Sequence, residues 1–91
     1  MTFGEKVRAR RLAMGPSLRQ FAKTVGMSYS YLYMIEEEGL VPSPKIVLKL
    51  AERLQMGKWF LIQNAIDAKT KALRERYEKV YRKECPTGEK G

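Results

Sequence analysis

The chain has 91 residues, 44% hydrophobic and 31% charged, which suffices for one small folded domain, is too short for two, and is not the composition of a disordered segment. Lysine and arginine number 18 against 10 acids, a formal net charge of +8, and that excess points to a polyanionic partner, nucleic acid before an anionic membrane surface. With no histidine and the single Cys85 there is no zinc set and no internal disulfide, so no metal or other cofactor is expected, and a reducing, cytoplasmic setting is.

No apolar run approaches the roughly 20 residues of a membrane span, and the opening "MTFGEKVRARR" lacks the apolar stretch of a signal peptide. That opening reads as a first helix over Thr2 to Met14, capped by Thr2, with Glu5 three residues on to close a capping box. Phe3, Val7, Leu12 and Met14 are its expected apolar face; Lys6, Arg8, Arg10 and Arg11 lie around the rest, and Gly15-Pro16 ends it. Ser17 then caps a short helix, "LRQFAKTV", with Gln20 at capping-box distance and Leu18, Phe21, Ala22 and Val25 facing inward. After Gly26, Ser28 caps a third helix whose buried side is Leu32 and Ile35. "GLVPSP" is a loop; Ser43 caps and Pro44 opens a fourth helix, "PKIVLKLAERL", that buries Val47, Leu50, Ala51 and Leu54. Gly57 breaks the chain, Lys58 to about Glu84 runs without Gly or Pro as a long fifth helix, and residues 85–91 form a flexible tail. No period-two strand pattern appears, so the fold class is all-α.

The second and third helices, joined through a glycine, have the layout of a helix-turn-helix unit. Close crossing of the two needs a small residue, here Ala22; the turn needs a permissive backbone four positions later, here Gly26; the second helix needs two apolar residues three apart, here Leu32 and Ile35. Phe21, Val25 and Met27 complete that apolar set.

On these residues the chain from about Gly4 to Met56 resembles the Xre/Cro-type helix-turn-helix family of bacterial and phage transcriptional regulators. "SLRQFAKTVGMSYSYLYMIEEEG", then "PSPKIVLKLAERL", is similar to that family's Ser-Leu-Arg-x-x-Ala, Gly-x-Ser-x-x-Tyr-Leu, Ile-Glu, Pro-Ser and Leu-x-x-Leu-Ala signature. The resemblance implies a five-helix, Cro/repressor-like domain over residues 1–57, extended by a C-terminal helix over 58–84. The second helix would cross the DNA backbone, and the third, about residues 28–37, would enter the major groove. With Leu32 and Ile35 inward, Tyr29, Ser30, Tyr33 and Met34 face out as candidates for base readout, while Tyr31 is a packing residue. The family commonly pairs the first acid after this helix's isoleucine with an arginine late in the first helix, which implies a buried ion pair between Arg11 and Glu36; Glu37 and Glu38 would be solvated. Leu18 departs from the glutamine the family often carries there. Phosphate anchoring then falls to the N–H groups at the Ser17 helix end, Arg19, Gln20 and Lys45, and the basic run "KVRARR" is either a further phosphate contact or a solvated face.

Along the last helix Trp59, Ile66, Leu73 and Val80 recur every seven residues, with Ile62, Tyr77 and Tyr81 beside them. Lys69 and Arg76 occupy the companion seam positions, too polar for a free-standing zipper. Trp59, Ile62 and Ile66 are expected to pack on the first and fourth helices. Leu73, Tyr77 and Val80 are expected to be covered by the same helix of a second subunit. There is no nucleophile–base pair, metal set or phosphate-cradling glycine loop, so an enzyme is not expected. The reading is a cytoplasmic, nucleoid-associated, homodimeric regulator that binds double-stranded DNA by sequence. The alternative is an antitoxin that also holds a toxin protein through its long helix; a membrane-surface helix fits less well, because Glu75, Glu78 and Glu84 interrupt its basic face.

Overall fold

Hydroxyl caps set the starts of the first three helices in the computed structural model, which describes residues 1–85. The Glu5 backbone N–H donates to Thr2 Oγ1 at 3.1 Å and the Thr2 N–H to the Glu5 carboxylate at 2.8 Å, opening α1 (Phe3–Met14). Ser17 and Gln20 make the same reciprocal pair at 3.1 and 2.9 Å, opening α2 (Leu18–Val25). Ser28 Oγ accepts the Tyr31 N–H at 3.1 Å at the start of α3 (Tyr29–Glu37). Each cap satisfies donors that a helix end leaves without an internal partner. α4 (Pro44–Leu54) begins otherwise: Ser43 holds the cap position but its hydroxyl makes no cap bond, and the fixed φ of Pro44 sets the first turn. α5 (Lys58–Glu84), 27 residues and so about 40 Å long, follows Gly57. Cys85, the first residue of the expected tail, is the C-cap of α5, its N–H reaching the Tyr81 carbonyl at 2.7 Å; residues 86–91 lie outside the described residues.

The five-helix, all-α architecture is the one the resemblance implied. Its core gathers Phe3 and Val7 from α1, Phe21, Ala22 and Val25 from α2, Leu32 and Ile35 from α3, Val47, Leu50, Ala51 and Leu54 from α4, and Leu61 and Ala65 from α5. At the α2–α3 turn Gly26 is left-handed (φ 84°, ψ 35°). Its N–H and that of Met27 both donate to the Ala22 carbonyl at 2.9 Å, so the helix end is satisfied while the chain reverses.

Three expected faces are wrong in detail. On α1, Leu12 and Met14 are exposed, and the inward line is Phe3 and Gly4, then Val7 three to four residues on and Arg11 four further, the spacing of one helix face. At Gly4 the backbones of α1 and α3 come close: a Cβ there would lie 2.9 Å from the Glu36 carbonyl oxygen and nearer still to that of Ile35. Leu18, expected inward, is only half-buried. On α5, Trp59 (72% exposed) and Ile66 (49%) are not part of the core, Ile66 only bordering an apolar groove with Pro42, Pro44 and Val47. Leu61 and Ala65, one turn apart, take that place instead, with Ile62 half-buried beside them. The reason is angular: two residues along a helix is about 200° around it, so Leu61 and Trp59 cannot both face inward.

From Lys69 to Glu84 every residue of α5 is exposed. The described chain measures 52 × 25 × 21 Å with a radius of gyration of 16.1 Å, against about 12 Å for a compact domain of this length. The excess comes from the second half of α5, which projects beyond the core.

Candidate nucleic-acid interface

The third helix is held from behind. Leu32 and Ile35 are fully buried, and Glu36, the next residue, points inward as well. Arg11 Nε and Nη2 donate to its two carboxylate oxygens at 2.8 and 2.9 Å, and both side chains are buried. The third arm of the guanidinium, Nη1, donates to the Pro16 carbonyl at 3.0 Å. One side chain therefore ties α1, the turn into α2, and α3 together in a fork geometry that lysine cannot supply. The Glu36 hydrogen bond raises the Arg11 pKa above its already high ordinary value, so the guanidinium keeps its charge.

On the opposite side of α3, Tyr29, Ser30, Tyr33 and Met34 are all exposed and, with Glu38, line one shallow depression. The Tyr29 and Tyr33 rings lie one turn apart, centroids 6.3 Å from each other and 25° from parallel. The Arg19 guanidinium sits 4.8 Å from the Tyr29 centroid, within cation–π range. A residue proposed for phosphate and one proposed for base readout thus touch, and α2 is coupled to the outer face of α3. Tyr31, on the flank, packs against the core.

The phosphate candidates divide. The Ser17 hydroxyl, the Ser17 N–H and the Gln20 amide oxygen are engaged in the capping box. The first intrahelical bond is that of Phe21 to Ser17, which leaves the N–H groups of Leu18 and Arg19 as the open donors of this helix end. Lys45 is exposed in the first turn of α4, where no hydroxyl caps.

The basic run of α1, by contrast, is occupied within the fold. Arg8 meets Glu37 at 3.3 Å, Arg10 Nε donates to the Leu54 carbonyl at 2.8 Å, and Lys6 bonds the Asn64 side chain and lies 5.5 Å from the Phe60 centroid. These groups fasten α1 to α3, α4 and α5, so the run is neither a free phosphate comb nor a purely solvated face. Sequence reasoning missed the Arg10 contact because its partner is a backbone carbonyl at a helix end, which no residue type advertises; the general affinity of cations for helix C-termini was the only available signal. Glu37, expected in solvent, is partly neutralised by Arg8, and Glu38 borders the tyrosine depression. Leu73, Tyr77 and Val80, the expected dimer contacts, are exposed on the projecting half of α5.

A family model for helix-turn-helix domains matches residues 7–57, more than half of the chain. The match and the geometry agree, and the chain belongs to the Xre/Cro-type helix-turn-helix family of DNA-binding regulators. No curated protein and no solved structure matches it. Among the described residues no helix is long and apolar enough to cross a membrane.

Proposed function

We propose that this chain is a transcriptional regulator that binds double-stranded DNA by sequence, with α3 in the major groove, and that it does so as a homodimer at the nucleoid. The observation that carries the reading is the outward face of α3. Two stacked tyrosines, a serine and a methionine stand exposed on a helix whose inner side is anchored by a buried fork-to-fork ion pair. Hydroxyls there donate to or accept from base edges, and rings and thioether pack on apolar groups in the groove. Arg19, the open N–H groups of Leu18 and Arg19, Gln20 and Lys45 anchor phosphates and set register. The net charge of +8 supplies sequence-independent affinity through counterion release.

Selection of bound duplexes from a random pool tests the reading, and two half-sites about 34–36 Å apart are expected. Tyr33→Ala and Ser30→Ala should each weaken binding to the selected duplex by about 1–3 kcal/mol and leave non-specific binding nearly unchanged. Lys45→Ala should weaken both alike and lower the salt slope by about one. A bound pool with no shared sequence would refute base readout.

One observation favours a second reading. The exposed apolar residues of α5 suit a protein partner, and an antitoxin would hold its toxin there. A stoichiometric second protein that co-purifies with the full chain and is lost from a chain ending at Lys69 would support the antitoxin.

A further inference from the structure

Resting on that reading of α3, we infer that this surface recognises thymine methyl groups, so that the half-site is A·T-rich where α3 meets it and owes little to guanine. The inference comes from what the depression contains. Its lining is Tyr29, Ser30, Tyr33, Met34 and Glu38: two phenol rings and a thioether as apolar surface, three single hydroxyls counting the two phenols, and one carboxylate. None of the five presents the paired donors that grip guanine. Guanine shows the major groove two acceptors, N7 and O6, and the side chains that fit them are arginine and lysine. The carboxylate of Glu38 only accepts, so it repels those two atoms.

The one arginine that touches this face, Arg19, lies with its guanidinium over the Tyr29 ring at 4.8 Å. It belongs to the first turn of α2, the helix that crosses the backbone in this family, where its free edges suit a phosphate. Tyr33 and Met34, each about two-fifths exposed, are left to meet the groove floor with a ring and a thioether. The C5-methyl of thymine is the apolar group the major groove of unmodified DNA offers to such surfaces. Ser30 adds a hydroxyl able to serve either member of an A·T pair.

The test uses the full-length protein and its best selected duplex. Thymidine is replaced by deoxyuridine, one position at a time, which removes the methyl and leaves base pairing intact. Each methyl that α3 reads should cost about fourfold in affinity, the value of one buried methyl-sized group. Replacing guanine with 7-deazaguanine in the same half-site should cost less than twofold. Tyr33→Ala, or Met34→Ala should the tyrosine variant fail to fold, should shrink the thymine-to-uracil ratio at one position toward unity. Tyr33→Phe keeps the ring and should keep the ratio. A selected half-site in which 7-deazaguanine costs more than deoxyuridine overturns this inference and leaves sequence-specific binding standing. A selection that returns no shared sequence overturns both.

Discussion

At the scale of single residues, two positions on α1 decide how α3 is held, and neither is apolar. At Gly4 even a methyl group would meet backbone, the Ile35 and Glu36 carbonyls, which cannot swing aside as a side chain can. Gly4→Ala should therefore force α1 away from α3 and destabilise by about 1–3 kcal/mol or more, an overpacking cost, read as a lower urea midpoint at unchanged slope. Arg11→Ala leaves the buried Glu36 carboxylate and the Pro16 carbonyl without their donors. A buried pair broken from one side costs roughly 3–5 kcal/mol, so the melting temperature should fall sharply; a shift of only a degree or two would mean the pair contributes little. Glu5 gives a pH signature. The Thr2 backbone N–H, and secondarily its hydroxyl, hold the Glu5 carboxyl below the usual carboxylate range. A folded pKa that is depressed contributes stability above the unfolded value and loses it as pH falls through the folded one. Glu5→Gln should thus be less stable than the parent at neutral pH, and the gap should close on acidification; a gap independent of pH would assign the cap to geometry alone.

At the scale of elements, what was legible depended on whether the signal was local. Ser17, Gln20, Gly26 and Ser28 announce α2 and α3 because caps and left-handed turns are built from neighbours in sequence, and Leu32 and Ile35 show the buried face by spacing alone. The outward set Tyr29, Ser30, Tyr33 and Met34 follows by subtraction. Gly4 stayed invisible, since nothing local distinguishes a glycine needed for a helix crossing from one that merely starts a helix. Arg11 and Glu36 are 25 residues apart, and only the family resemblance suggested that they meet. α5 misled for a related reason. A seven-residue repeat shows that a stripe exists, not which body covers it. Leu61 and Ala65, the residues that face α1 and α4, are one leucine and one small side chain in a helix with a more conspicuous Trp59–Ile66–Leu73–Val80 line. Leu61→Ala should cost about 2–5 kcal/mol and Trp59→Ala close to nothing in thermal stability. The reverse order would restore the expectation that tryptophan completes the core.

At the scale of the whole molecule, shape and charge pull in opposite directions, and that opposition tests the dimer. Trp59 to Val80 spans about 32 Å of helix, with Ile66, Leu73, Tyr77 and Val80 exposed along it. Residues beyond Lys69 make no part of the core, and a helix of roughly 15 residues is marginal in water unless its apolar side is covered. In the proposed homodimer the same helix of a second subunit would supply a cover of matching length and apolar character in a two-fold arrangement. Lys69 and Arg76 border the stripe and in that dimer would repel their counterparts, so it should tighten as salt screens them, whereas DNA affinity must fall with salt. Sedimentation at micromolar concentration in low and high salt separates these two effects. The full chain should shift toward dimer as salt rises. A chain ending at Lys69 keeps Leu61, Ile62 and Ala65, so it should stay folded, sediment as a monomer and bind the selected duplex at least tenfold more weakly. Leu73→Glu in the full chain should reproduce the monomer without any truncation. If the full and shortened chains are both monomers, or both dimers, α5 is not the contact between subunits, and the exposed stripe belongs to a different partner.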